Sequence, residues 1–277
     1  MKYTEVTLTI TPLDPFRDLL TYSLGEEGPY DSFVDTPDGM KAYVPADQYD
    51  EAFLKAAIEE AGCEVSYKVA PMEDKNWNEE WEKSHKAVLV EDFCWVRAPF
   101  HPHRDDVEYE IEIEPKMSFG TAHHATTYMM LTLLRDEPIE GKRVLDMGCG
   151  TCVLAILAAK KGAAYVEGID VDEWAYRNAL ENCERNGVPH IHCLLGDAAS
   201  LQGRPDKFDL IIANINRNIL LRDMPAYVEA MAPHATILFS GFYEADIAAI
   251  RAKAESLGLT YDRHILRDGW AAVRFVR

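Results

Sequence analysis

Long apolar runs are missing from this 277-residue chain. No stretch reaches the roughly 18 consecutive apolar residues that a membrane helix needs, which excludes a helical membrane span. Positive charge is also scarce. Against 47 Asp and Glu stand 28 Lys and Arg, a net charge of −19. That balance disfavours a phosphate backbone as the main partner, so no direct nucleic-acid binding is expected. It suits a basic protein partner, or simple solubility. Cysteine is sparse: Cys63, Cys94, Cys149, Cys152, Cys183 and Cys193 are too few for a disulfide framework at this length. Cys149-x-x-Cys152 has redox or metal spacing but no second pair, and these residues read as buried packing thiols. The opening Met1-Lys-Tyr-Thr-Glu-Val6 lacks an apolar secretory core, so a cytoplasmic protein is expected. What the chain does have is apolar material. Hydrophobic residues make up 48%, enough for the core of one large domain or two smaller ones.

The richest stretch runs Arg143-Val-Leu-Asp146-Met-Gly148-Cys-Gly150-Thr-Cys152-Val153, then an alanine-rich helix, then Tyr165-Val-Glu-Gly168-Ile-Asp170. A short apolar strand enters a Gly-x-Gly turn, and a second strand ends in an acid 22 positions after Gly148. Glycines let backbone approach a ligand closely. The following helix offers unpaired N–H groups at its start. A carboxylate at the tip of the second strand can accept the hydroxyls of a ribose. These parts together suit a nucleoside-containing cofactor. A dinucleotide fingerprint would place a third glycine where Val153 stands, which argues against NAD. The stretch resembles instead the Asp-x-Gly-x-Gly-x-Gly loop of class I methyltransferases that bind S-adenosylmethionine. Asp146, Gly148 and Gly150 match, and Cys152 replaces the last glycine.

Three segments follow from the pattern. Residues 1–66 read as a small α+β unit. Tyr3–Ile10 alternates as a strand, Asp14–Leu24 is helical, and Ser32–Val44 is a hairpin with an Asp38-Gly39 turn. Tyr49–Ala61 is a helix closed by Gly62, and Cys63–Val69 a strand. Strand–helix–hairpin–helix–strand is the order of a ferredoxin-like sandwich. Residues 67–107 read as a connector packed on the second domain, with Trp77 and Trp81 one helical turn apart and a strand over Val88–Val96. Residues 108–277 repeat βα units. Strands are expected at 143–147, 164–169, 191–195, 208–213 and 235–240, with a clear helix from Glu173 to Asn186. Such alternation demands a mainly parallel sheet with helices on both faces. The end, Leu259–Leu266 and Trp270–Arg277 around Asp268-Gly269, reads as a hairpin. It adds an antiparallel strand of the kind methyltransferase sheets carry and dinucleotide-binding folds do not. The expected fold class is therefore α/β: a Rossmann-like class I methyltransferase sheet with a carboxyl-terminal antiparallel hairpin, plus the small ferredoxin-like domain.

Ligands of open α/β sheets sit beyond the carboxyl ends of the strands. Asn214 closes Phe208-Asp-Leu-Ile-Ile-Ala213 there, and its amide oxygen can accept a hydrogen bond from an incoming amine. Asp197 ends the third strand, where it can bind an adenine amine or cap the next helix. Thr126 and Thr127 open a helix running to about Leu134. Their hydroxyls can cap it or reach a cofactor carboxylate. His123-His124 has no carboxylate at helical spacing, and no metal site is expected.

Phe119-Gly-Thr-Ala-His-His-Ala-Thr-Thr127, Asp146-Met-Gly-Cys-Gly150, Gly168-Ile-Asp170-Val-Asp172 and Ala213-Asn-Ile215 resemble the bacterial ribosomal protein L11 methyltransferase family. The likeness is strong over about residues 110–277. The family usually has Gly and Thr where this chain has Ala122 and His123. The resemblance implies S-adenosylmethionine as cofactor, held at Thr127, Gly148, Asp170 and Asn214, with Asn214 also at the chemistry; the reading of the glycine loop and strand ends adds Gly150 and Asp197 as cofactor contacts. It implies a basic ribosomal protein as substrate, gripped by the amino-terminal domain and methylated on lysine side chains and the α-amino group. Alternatives are a class I methyltransferase acting on another protein or a small molecule, or a non-catalytic cofactor-binding assembly factor. Enzymes for glutamine amides carry Asn-Pro-Pro-Tyr after the fourth strand, where this chain reads Asn214-Ile-Asn-Arg217.

Overall fold

A computed structural model describes residues 3–71, 86–116 and 120–277. Contacts divide the chain into two units, Met1–Ser84 and His85–Arg277.

The first unit runs β1 (Tyr3–Thr11), α1 (Phe16–Glu26), β2 (Ser32–Thr36), β3 (Gly39–Pro45), α2 (Glu51–Ala61) and β4 (Glu64–Pro71). Its sheet has the order β2-β3-β1-β4, with every pairing antiparallel. Along β1 the even residues Val6, Leu8 and Ile10 are buried against Leu20 and Leu24 of α1 and Leu54 of α2. This period of two marks a half-buried strand. Helix α1 starts at Phe16 rather than Asp14, because Pro15 biases the residue before it away from helical backbone. Strand β4 continues to Pro71, since it pairs with β1 over its whole length, from Thr11↔Glu64 to Thr4↔Pro71.

In the second unit, residues 88–97 form two short strands where one was expected. These are β5 (Val88–Val90) and β6 (Cys94–Arg97), folded about a turn in which Glu91 takes φ 51°. Strand β7 (Tyr109–Glu112) joins β6 in parallel. Val90, Phe93, Cys94 and Val96 enter the core of this unit. Trp77, Trp81 and the short helix expected around them lie outside the described residues.

The main sheet comprises β8 (Arg143–Met147), β9 (Tyr165–Asp170), β10 (His192–Leu195), β11 (Phe208–Asn214), β12 (Met231–Tyr243), β13 (Thr260–Arg267) and β14 (Trp270–Val276). Its order is β10-β9-β8-β11-β12-β14-β13. The first five strands are parallel, and β14 runs antiparallel to both neighbours. Asp268 and Gly269 turn the last hairpin with φ of 51° and 78°, the two positive values a tight hairpin of this hand needs. Among the described residues five helices cover the sheet: α3 (Ala125–Asp136), α4 (Val153–Lys160), α5 (Glu173–Arg185), α6 (Arg217–Ala230) and α7 (Ile247–Ser256). Leu210 and Ile212 join a core cluster with α3 and α4, whereas Ile211 joins a second cluster with α6 and α7. Both faces of the sheet's central strands are therefore buried, which is why β8, β9 and β11 read as largely apolar runs. Strand β12 is longer than the expected 235–240. It begins at Met231, opposite Phe208, and absorbs a register shift through residues in which His234 has φ 61°. Among the described residues no helix is long and apolar enough to cross a membrane.

Candidate active site

Strand order reverses between β8 and β11, and the crevice beyond their carboxyl ends is where such sheets bind ligands. A cavity of about 450 Å³ lies there, a size suited to a nucleoside-bearing ligand. Gly148, Gly150, Asp170, Asp172, Asp197 and Asn214 are in its lining.

The loop after β8 is held in a conformation that side chains rarely adopt. Gly148 has φ 67° and Gly150 φ 55°. A Cβ on Gly148 would come within 2.3 Å of Ile215 Cγ2, so the position tolerates no side chain. Gly148 N and Cys149 N both donate to Ile169 O, at 2.8 and 3.2 Å, which ties the loop to the end of β9. Cys152 takes φ 69°, the conformation a glycine would adopt more easily, and then caps α4. Thr151 Oγ1 donates to Gly120 O at 2.7 Å, and Asn182 Nδ2 donates to Thr151 O at 3.0 Å. Asn182 Oδ1 also accepts from Glu114 N at 2.9 Å, so one buried amide on α5 braces the loop against the segment leading to Gly120.

Asp170 ends β9. One carboxylate oxygen accepts from Gly150 N at 2.8 Å and the other from Asp172 N at 3.0 Å. Each oxygen keeps a further lone pair for a ligand hydroxyl. Asp172 caps α5 by accepting from Trp174 N and Ala175 N. Asp197 accepts from Ala199 N at 2.9 Å, so it caps the short helical turn Ala198–Leu201 while lining the cavity. Both readings of that residue are compatible with its position.

Asn214 lines the same cavity, and its Oδ1 is buried without a hydrogen-bond partner among the described residues. An unsatisfied buried acceptor costs about 1–3 kcal/mol, so it marks a place built for a donor. Its Nδ2 donates to Thr127 Oγ1 at 3.3 Å. Thr127 is buried on α3 and is not itself in the cavity lining; it meets Asn214, which is. The structure thus brings five of the six expected residues to one cavity and places the sixth behind Asn214.

Several residues at the site were not among the expected cofactor contacts. Asp146 is buried under the loop and accepts from Ala155 N at 3.2 Å through one oxygen only. Burial pushes its carboxyl up to about 7. Tyr227 lines the cavity with a buried, unpartnered hydroxyl whose pKa burial raises. Trp174 stands 77% exposed at the rim. Its place in the first turn after Asp172 was the only clue in the sequence.

A mixed seven-stranded sheet of this order, with a glycine loop at its switch point and an acid on the next strand, defines a class I methyltransferase fold. The sequence profile of the family described as Ribosomal protein L11 methyltransferase (PrmA) matches residues 23–277. A protein of that name from Bacteroides fragilis is 46% identical over all of both chains. One from Porphyromonas gingivalis is 44% identical, covering 99% of this chain and 98% of its own. A crystal structure of ribosomal protein L11 methylase from Lactobacillus delbrueckii subsp. bulgaricus shares the fold, with a TM-score of 0.63 and 24% identity over 70% of this chain and 99% of that one. The chain belongs to the ribosomal protein L11 methyltransferase family.

Proposed function

We propose that this chain transfers methyl groups from S-adenosylmethionine to amines of ribosomal protein L11, on lysine side chains and the α-amino group. Gly148 and Gly150 let backbone approach the cofactor, Asp170 accepts its ribose hydroxyls, and Asp197 accepts from its adenine amine. The bound cofactor supplies a carbon that is already electrophilic, so the protein needs no covalent nucleophile. Its task is to hold a neutral amine in line. Free lysine, with a pKa near 10.4, is neutral in on the order of one molecule in a thousand at pH 7, and a desolvated site raises that share. Asn214 Oδ1 accepts a hydrogen bond from the amine. Thr127 acts as a positioning residue: by engaging Nδ2 it turns the oxygen toward the cavity.

The reading rests most on the orphaned acceptor at Asn214, at the carboxyl tip of β11 beside the glycine loop. We assign residues 1–66 to a ferredoxin-like substrate-recognition domain, 67–107 to a connector and 108–277 to the catalytic domain. The net charge of −19 suits a basic ribosomal protein as partner, without direct contact to nucleic acid, in the cytoplasm. The test is transfer of labelled methyl groups to purified L11. Asn214→Ala is expected to lower turnover about 10–100-fold while cofactor affinity, followed by calorimetry, changes far less. Equal loss of both would reduce Asn214 to a cofactor contact. No transfer by the unaltered chain would overturn the reading.

A further inference from the structure

The loop cysteines Cys149 and Cys152 have metal-like spacing, and the fold supplies the pair that the local sequence lacks. Cys183 projects from α5 and Cys193 from β10, and both meet Cys152. The three sulfurs all lie within 4.8 Å of one another. Cys183 Sγ and Cys193 Sγ are 3.9 Å apart. Cys149 borders the group: a Cβ on Gly168 would lie 3.3 Å from the sulfurs of both Cys149 and Cys152. Gly168 thus makes room for the two loop thiols over β9. Cys149, Cys152 and Cys183 are buried and Cys193 partly so.

Simple packing explains single buried thiols, which behave as small hydrophobes. It gives no reason for three sulfurs from three separate elements to converge. Tetrahedral zinc with Zn–S bonds of about 2.3 Å sets sulfur–sulfur edges of about 3.8 Å, and Cys183 and Cys193 already stand at that separation. An all-sulfur donor set selects Zn²⁺ or Cu⁺ over harder ions. Charge decides between those two. Three thiolates leave one net negative charge around a divalent ion and two around a monovalent one. The cluster sits in a largely apolar setting. The smaller residual charge is the cheaper one to bury.

We propose that Cys152, Cys183 and Cys193 bind one zinc ion, with Cys149 the nearest candidate for the fourth position. On binding, each ligating S–H gives its proton to solvent as the S–Zn bond forms, so affinity rises with pH. The ion would tie the glycine loop to α5 and β10, because Cys152 follows directly on the residues that line the cavity.

The test uses the full chain, purified reduced, stripped with a chelator and titrated with Co²⁺ alone. A thiolate-to-cobalt charge-transfer band is expected to saturate at one equivalent and to vanish when Zn²⁺ is added. Zinc is expected to raise the unfolding midpoint by about 5 °C at a hundredfold excess over its dissociation constant. Replacing both Cys183 and Cys193 by Ala should abolish the band, whereas Cys63→Ala should leave it intact. The unaltered chain decides the matter even if the double variant fails to fold. No charge-transfer band from it overturns the proposal. So does a band that survives the double replacement or is lost in Cys63→Ala. A reduced chain that takes up no metal but forms a Cys183–Cys193 disulfide with peroxide also overturns it, and assigns the cluster to redox chemistry instead.

Discussion

The two sheets of this chain bury their strands in different ways. In the amino-terminal sheet one face of β1 packs on helices, and the other carries Glu5, Thr7 and Thr9. Glu5 meets Lys41 Nζ at 2.9 Å and the Tyr43 hydroxyl at 3.1 Å on that face. In the seven-stranded sheet neighbouring residues such as Leu238 and Phe239 point to opposite faces, and both are fully buried. A one-faced sheet keeps every second side chain free to meet something else. The central strands of a two-faced sheet have free side chains only at their ends, and Asn214 and Asp170 sit there. The difference locates chemistry at the edge of the second sheet and leaves a whole polar surface available on the first.

The sharpest way to break this contrast is to truncate adjacent residues in each sheet. Phe239→Ala is expected to cost about 3–5 kcal/mol and Leu238→Ala about 2–5 kcal/mol, since each empties a site in a different core cluster. In β1, Leu8→Ala should cost a similar amount, but its exposed neighbour Thr9→Ala should stay within about 0.5 kcal/mol. Denaturant melts of the four variants check this. A large loss at Thr9 would mean that the open face of the first sheet is covered after all.

Acid separates the units next. Asp146 is raised from the ordinary 3.8 to about 7, chiefly by burial. A raised folded pKa means that the folded state holds its proton more tightly. The stabilisation is full below pH 3.8 and is lost as pH rises through about 7. Between pH 5 and pH 8 that swing is about 2–3 kcal/mol, read as the difference between the unaltered chain and Asp146→Asn. Glu5 in the first sheet has the opposite sign. Its hydrogen bond from Lys41 holds the carboxyl below its usual range, so its contribution is present above the ordinary value of 4.5 and fades as pH falls. Parallel pH profiles for the unaltered chain and Asp146→Asn would show that the buried carboxyl does not titrate with folding.

Period-two alternation exposed β1, and short, largely apolar runs exposed β8 and β11, because each pattern is a direct imprint of how many faces are buried. Gly148, Gly150 and Asp170 were legible because one loop and one strand carry all three. The brace at Asn182 was not, since its partners Thr151 and Glu114 lie 31 and 68 positions away. The thiol cluster was hidden for the same reason: Cys152, Cys183 and Cys193 come from a loop, a helix and a strand, and no local spacing joins them. The turn at Glu91 escaped notice because the residue carries no turn signature and is held at φ 51° by the pairing of β5 with β6. Thr127 is the instructive middle case. Motif resemblance found the residue, but only the packing of α3 on the end of β11 reveals that its hydroxyl meets Asn214.

The smallest expected effect sharpens the comparison most cleanly, because the two units contain the same device. Asp50 caps α2 by accepting from Ala52 N at 2.8 Å and Phe53 N at 3.5 Å. Asp172 caps α5 by accepting from Trp174 N at 2.6 Å and Ala175 N at 3.2 Å. Removing either carboxylate by Asp→Ala should cost about 1 kcal/mol of stability, and Asn, which caps as well as Asp, should restore it. Their surroundings differ. Asp172 lines the cavity, and its backbone N–H holds one oxygen of Asp170 at 3.0 Å, so a frayed first turn of α5 also loosens the Asp170 carboxylate in the cavity lining. Asp172→Ala is therefore expected to weaken S-adenosylmethionine binding about fivefold, and Asp172→Asn to recover most of it, while Asp50→Ala leaves binding unchanged. Calorimetric titration of the three variants decides it. Equal affinities throughout would mean that Asp170 is fixed by Gly150 N alone, and that the cap on α5 serves stability only.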